Sequence, residues 1–272
     1  MVLVNGVATD RLAVDDRGLH YGDGLFETLA ILDGHAPLWS RHMARLHRGC
    51  RALGIATPDT DALHDEAFHL CAGRPRAVLK LLITRGSGRR GYRPPEPAVP
   101  TRILMLGDWP AHPPAWHDEG IDVRTCDMRL SRNPVLAGHK HLNRLEQVLA
   151  RAEWGDEFQE GLMLDIDGWV VEGTMSNLFV VKDGTLLTPP IDQCGVAGIM
   201  RGLVMETAQA IGIPCEERNL RREDLDRTEG MFLSNTLIGL WPLRSLDGRP
   251  TPRHGCVPVL RSAIHERHGV PQ

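Results

Sequence analysis

Apolar and polar positions follow two periods along this 272-residue chain, and the switches between them mark the predicted elements. Met43, Leu46, Cys50 and Leu53 recur at helical spacing behind Ser40, a good N-cap, so a helix is expected to start there. Ala77 to Thr84 and Thr101 to Leu106 are short apolar runs bounded by Gly and Pro, which predicts strands. Ile121 to Arg129 reads as another strand. Leu145, Val148, Leu149 and Ala152 give a helix over Leu142 to Trp154. Strands follow at Leu162–Leu164, Trp169–Glu172, Leu178–Val181 and Thr185–Leu187, with hairpin turns at Asp167-Gly168 and Asp183-Gly184. A helix from about Ile199 to Ile211 stops at Gly212 and Pro214, and Phe232 to Asn235 reads as a late buried strand.

The order of elements predicts an α/β (α+β) protein of two α/β domains, with a small-molecule site in the interdomain cleft. The proline-rich stretch after Leu106 serves as linker, so the expected division is 1–106, a linker over 107–117, and 118–272. Hydrophobic residues at 42% and charged residues at 24% fit a globular chain, and a net charge of −4 gives no electrostatic case for nucleic acid or an anionic membrane. The N-terminus lacks a signal-peptide pattern, and no apolar run approaches a membrane span. Six scattered cysteines without a C-x-x-C pair suggest reduced thiols, hence a cytoplasmic protein.

Composition singles out one side chain. Of 31 basic residues only Lys80, Lys140 and Lys182 are lysines. Lys80 lies in an apolar strand-like run and Lys182 in a turn, settings for an ordinary role. Lys140, flanked by His139 and His141 behind a Pro/Gly-punctuated loop, is either a solvent-facing lysine at a helix start or an amine kept for Schiff-base chemistry, which no guanidinium performs. Pyridoxal phosphate is the cofactor such chemistry suggests, and it also requires a carboxylate for its pyridine nitrogen and an anion site for its phosphate. Glu172 is either that carboxylate or an edge-strand glutamate facing water. The turn Gly195-Val196-Ala197-Gly198-Ile199-Met200-Arg201 opens a helix, where free amides and the helix dipole suit an anion. Arg45 is either a phosphate ligand or a surface arginine.

Other chemistry finds less support. Gly86-Ser87-Gly88-Arg89-Arg90-Gly91 matches a dinucleotide fingerprint, but Tyr92-Arg93-Pro94-Pro95 cannot open the required helix, so a flexible basic loop is expected. His42 and His47 are five apart and do not share a helix face as metal ligands would, and no metal site is expected.

Several blocks in order resemble the fold-type IV pyridoxal-phosphate enzymes, the group that includes branched-chain aminotransferases. They are Tyr21-Gly22-Asp23-Gly24-Leu25-Phe26-Glu27-Thr28, Arg41 to Leu46, Lys140, Glu172 to Phe179, Leu187-Thr188-Pro189-Pro190 and Gly195 to Arg201. The resemblance implies that Lys140 carries the Schiff base, Glu172 faces the pyridine nitrogen, and Arg45 with backbone amides near Gly198, Ile199 and Met200 binds phosphate. It also places Asn235 near the cofactor. Branched-chain aminotransferases usually have Thr where Met200 stands, so one hydroxyl contact is absent here.

Arg132-Asn133-Pro134, Leu136-Ala137-Gly138 and Lys140 to Leu149 are similar to aminodeoxychorismate lyases, as is Arg85-Gly86-Ser87-Gly88 with Gly91-Tyr92. That likeness implies cleavage of 4-amino-4-deoxychorismate to 4-aminobenzoate and pyruvate on the way to folate, with Thr28, Arg90 and Arg144 as candidate substrate contacts. It further implies a homodimer. The rival readings are a D-amino-acid or branched-chain aminotransferase of the same fold, and a catalytically silent cofactor-binding dimer.

Overall fold

The computed structural model describes residues 1–270. Two compact units emerge: Met1–Pro110 with His139–Asn143, and Ala111–Gly138 with the chain from Arg144 onward.

In the first unit, β1 (Val2–Val4), β2 (Val7–Ala8), α1 (Arg17–Tyr21), β3 (Gly24–Leu32), α2 (Trp39–Leu53), α3 (Thr60–Cys71), β4 (Arg76–Thr84) and β5 (Thr101–Gly107) follow in order. The strands form one antiparallel sheet in the order β2-β1-β5-β4-β3. Leu25, Leu29 and Ile31 on β3 alternate with outward residues, as a sheet buried on one face requires. They share a core with Leu79, Leu81 and Ile83 of β4 and with Met43, Leu46, Cys50, Leu63 and Leu70 of the two long helices. Ser40 lies inside α2, whose cap position is Leu38 without a side-chain bond; the expected N-cap was two residues off.

The second unit contains α4 (Ala115–Asp118), β6 (Ile121–Leu130), α5 (Leu145–Arg151), β7 (Glu160–Asp165), β8 (Val170–Gly173), β9 (Asn177–Lys182) and β10 (Thr185–Thr188). It continues with α6 (Ile199–Ala210), β11 (Cys215–Glu217), a 3-10 turn at Arg222–Arg227, β12 (Gly230–Asn235), β13 (Gly239–Leu246), β14 (Arg249–Pro250) and α7 (Cys256–His268). Its mixed sheet runs β11-β10-β9-β12-β13-β6-β7-β8, with β14 paired to β13. The near-continuous apolar strands β7 and β9 are buried along almost their whole length, as strands covered on both faces should be.

The helix expected over Leu142–Trp154 is shorter, spanning Leu145–Arg151. Leu142 is withheld from it because its amide donates to the Gly24 carbonyl at 3.0 Å in the first unit's sheet. The apolar positions of α5 are also not a core face: Leu145, Val148 and Leu149 are 69%, 60% and 50% exposed, and only Ala150 is buried. Among the described residues no helix is long and apolar enough to cross a membrane.

Candidate active site

Lys140 is fixed by its backbone before its side chain is considered. The stretch 140–142 runs antiparallel beside β3, the edge strand: Phe26 N–H donates to the Lys140 carbonyl at 2.9 Å, and Leu25 bridges His141. Lys140 therefore lies in a short segment bridged to β3, five residues before α5, and not at the helix start that the sequence suggested. Two backbone hydrogen bonds to β3, from Phe26 N–H to the Lys140 carbonyl and from Leu142 N–H to the Gly24 carbonyl, tie down the segment that carries the amine. Its Nζ lies 4.5 Å from the centre of the half-buried Phe26 ring, a cation–π distance. Thr28 lies two residues further along β3 and so on the same face as Phe26.

Beneath that face lies a buried ionic cluster that the sequence reading missed. Glu27 points inward from β3 and is 1% exposed. Arg45 of α2 donates to it through Nε at 2.8 Å and Nη2 at 2.5 Å, and His42 Nδ1 is 2.7 Å away. Burial pushes the Glu27 carboxyl up, but the charge of Arg45 and the hydrogen bonds from Arg45 and His42 outweigh it and bring it to about 2. His42 is pushed below its ordinary value, chiefly by burial, with the Glu27 contact opposing. Helical spacing explains how α2 presents both partners: positions 42 and 45 are one turn apart. Arg45, expected either at a phosphate or on the surface, is buried and oriented by Glu27. His139 is also pushed down, by burial first and by Arg48 second.

The second unit gathers the other expected residues. Glu172 lies on β8, the end strand of its sheet, but is buried and does not face water. Its Oε2 accepts from the Val196 amide at 2.9 Å and from Asn177 Nδ2 at 3.3 Å. Asn177 also donates to the Val196 carbonyl at 3.0 Å, tying the Glu172 carboxylate to the turn that opens α6. That turn has little spare room. Gly195 has φ +85°, and a Cβ there would meet Val171 Cγ1 at 2.8 Å; at Gly198 one would lie 1.9 Å from Asn177 Oδ1. Gly198 caps α6 without any side-chain bond, so the first-turn amides around Ile199 and Met200 are available to an anion.

Ser234 on β12, paired in register with Asn177, has a fully buried Oγ with no hydrogen-bond partner. Such an orphaned hydroxyl is costly unless a ligand satisfies it. A buried carboxylate, a helix N-terminus and an unsatisfied hydroxyl together fit the pyridine and phosphate ends of pyridoxal phosphate. Asn235 has a shaping role: its Nδ2 donates to the Met175 carbonyl at 3.1 Å and its Oδ1 accepts from the amides of Leu237 and Ile238, each at 2.9 Å.

A second missed carboxylate supports the loop after Glu172. Glu160, opening β7 and 1% exposed, accepts from the amides of Gly161, Thr174 and Met175 and from the hydroxyls of Thr174 and Ser176. Gly173 must be glycine beside it, since a Cβ would meet Ser176 Oγ at 2.3 Å.

Of the substrate candidates, Arg90 is exposed and Arg144 half-buried where it precedes α5. The glycine-rich Gly86–Gly91 segment opens no helix; Arg17 donates to the carbonyls of Gly91 and Tyr92, each at 3.0 Å, and Tyr21 accepts from the Gly91 amide at 3.3 Å.

Comparison with known proteins places this geometry. Residues 24–246 match the family described as Amino-transferase class IV. An aminodeoxychorismate lyase from Vibrio harveyi is 36% identical over 247 residues, covering 90% of this chain and 91% of that protein. The crystal structure of 4-amino-4-deoxychorismate lyase from Pseudomonas aeruginosa is 47% identical, with TM-score 0.94 and 98% of both chains covered. A hypothetical aminotransferase from Mycobacterium tuberculosis, solved in a PLP-bound form, is 25% identical with TM-score 0.84, again covering 98% of each chain. The chain belongs to the class IV aminotransferase family and has the fold-type IV architecture.

Proposed function

We propose that this chain is a pyridoxal-phosphate-dependent lyase that converts 4-amino-4-deoxychorismate to 4-aminobenzoate and pyruvate, a step towards folate. The observation that carries the reading is a near-full-length match to two lyases of that name, on a chain that holds Lys140 in a segment hydrogen-bonded to β3. Lys140 would hold the cofactor through its amine, and Glu172 would face the pyridine nitrogen. Arg45, the α6 amides of Ile199 and Met200, and Ser234 Oγ are the phosphate ligands of this reading. When bound, the cofactor supplies an electron-withdrawing ring that stabilises negative charge at the amine-bearing carbon.

The residues' own work follows from acid–base chemistry. The neutral amine of Lys140 takes the proton from the substrate's amine-bearing carbon. Cleavage of the adjacent ring carbon–oxygen bond releases the enolpyruvyl group, and the protonated amine of Lys140 returns the proton, so the departing fragment ends as pyruvate. The remaining ring becomes aromatic, and the atoms balance without water or an oxidant. Positioning is then the protein's main task. Thr28, Arg90 and Arg144 are the proposed substrate contacts.

A second reading, an aminotransferase for D-amino or branched-chain amino acids, draws on the PLP-bound aminotransferase of the same fold. The two separate in one assay. Purified protein given enzymatically generated aminodeoxychorismate should form 4-aminobenzoate and pyruvate in equal amounts, and Lys140→Ala should abolish both products together with the cofactor absorbance. Cofactor bound with neither product formed, but with an amino-acid half-reaction, would establish the aminotransferase instead. Cofactor bound with no turnover of any amine would leave a silent binding protein.

A homodimer belongs to the same proposal. Leu145, Val148 and Leu149 form an exposed apolar stripe on α5 that a second copy would cover in a self-complementary contact. Sedimentation equilibrium should give a dimer that Val148→Asp weakens; a wild-type monomer rejects the idea. The cytoplasm is the proposed compartment, consistent with six free cysteines, and cell fractionation tests it.

A further inference from the structure

Three methionines of the second unit, Met163, Met200 and Met231, lie in its core, whereas Met175 is 50% exposed. The backbone of Met175 is nevertheless held on both sides. Its amide donates to Glu160 Oε2 at 3.3 Å, and its carbonyl accepts from Asn235 Nδ2 at 3.1 Å. Thr174 and Ser176 both turn their hydroxyls to Glu160, so the side chain between them points the other way. A bare thioether on a fixed backbone is an apolar surface held in place, and its own torsions leave it able to adapt.

The face that Met175 borders is otherwise polar. Asn177, two positions on and so on the same side of the chain, directs its Nδ2 at Glu172 Oε2 and at the Val196 carbonyl. Ser234 stands opposite Asn177 in register, so its unpartnered hydroxyl belongs to that face as well. Glu172, Asn177 and Ser234 supply charge and hydrogen bonds there. Met175 adds a long apolar side chain whose polarizable sulfur suits the edge or face of a planar ring.

We propose that Met175 is a specificity-determining residue that packs against the six-membered ring of the substrate and, after elimination, of the product. The inference rests on the lyase reading, whose substrate carries its polar groups around one ring. The ring is the main apolar surface of that molecule, and packing it on the thioether takes both out of water. The sulfur–ring contact strengthens once the ring is aromatic, so Met175 holds the product more firmly than the substrate. It selects a cyclic amine over a small aliphatic one and takes no part in the proton transfers.

The test uses cofactor-loaded full-length enzyme. Hydrogen peroxide should convert Met175 to its sulfoxide, read by peptide mass, and saturating 4-aminobenzoate should slow that conversion several-fold. Met1, 76% exposed, should react as before. Met175→Ala should weaken 4-aminobenzoate binding about twofold to tenfold in equilibrium dialysis, the range of a sulfur–ring contact, with a smaller rise in KM for aminodeoxychorismate. Met175→Leu keeps the volume and should recover most of the loss. Cofactor affinity, titrated by absorbance, should be unchanged in both. Equal oxidation with and without 4-aminobenzoate overturns the proposal, as does unchanged 4-aminobenzoate binding in Met175→Ala. A Met175 already shielded before 4-aminobenzoate is added would assign it to the cofactor and overturns it too. If the wild type forms no 4-aminobenzoate from aminodeoxychorismate, the lyase reading fails separately. The ratio of phenylalanine to alanine half-reaction rates then decides Met175: a fall in Met175→Ala upholds ring packing, and an unchanged ratio ends it.

Discussion

Glu27 in the first unit and Glu160 in the second are equally buried, yet the fold compensates their charge by opposite means. Glu27 is held by a full positive charge on Arg45 and by the ring of His42, both from α2. Glu160 faces three amides and two hydroxyls, four of these five donors from the loop Thr174–Ser176 and none of them charged. Ionic compensation ties two elements together across the core, but leaves an uncompensated charge when one partner is lost. Dipolar compensation organises a local loop and degrades bond by bond. Under the proposed function the division is apt. The ionic cluster orients the phosphate-binding Arg45, whereas the dipolar one shapes the loop that follows Glu172.

The largest expected effect separates the two designs. Glu27→Gln leaves Arg45 buried without its counter-charge and should destabilise the first unit by about 3–5 kcal/mol. The pH dependence carries the same signature. Glu27 has a folded pKa of about 2 against an ordinary 4.5, so its contribution is fully present above 4.5 and is lost as pH falls towards 2. His42, pushed below 6.5, favours the folded state in its neutral form, and that contribution likewise fades as pH drops below 6.5. Thermal unfolding between pH 7 and pH 3 should show falling stability in the wild type. The part below pH 4.5 should be smaller in Glu27→Gln, where Asp23, Asp122 and Asp247, also held below their ordinary value, still contribute. Parallel curves for the two proteins would show that the cluster does not carry the acid response.

These clusters also mark where the sequence stopped being legible. Strand positions were readable because alternation and turn residues are local signals: β4, β9 and β12 lie where the apolar runs placed them. Lys140 stood out because arginine had taken nearly every other cationic position. Glu27 carried a usable signal that was overlooked, since a carboxylate at an inward position between Leu25 and Leu29 demands a partner. Glu160 offered less, because four of its five donors lie 14 to 16 residues further on and two of those are backbone amides, which carry no sequence signal. The helix around Leu145 was overextended for a related reason: helical spacing continues through Leu142, but pairing with Gly24 outweighs local propensity.

The smallest effect sharpens the comparison most. Glu160→Gln keeps the volume and one acceptor oxygen, which can go on serving Gly161 and Thr174. The amide nitrogen then replaces the oxygen that accepted from Met175 N–H at 3.3 Å and from Ser176 Oγ at 2.8 Å. Ser176 can rotate its hydroxyl and accept instead, whereas the Met175 amide cannot reverse. One long hydrogen bond is lost and one amide faces a donor, a cost of about 1–3 kcal/mol. Because no cation is orphaned, the substitution should lower the unfolding temperature by less than Glu27→Gln does. Its functional mark should be a raised KM for substrate with cofactor affinity retained, since the loop moves while Arg45 and the α6 amides do not. A loss as large as that of Glu27→Gln would mean that neutral donors are no more forgiving than an ion pair in this fold.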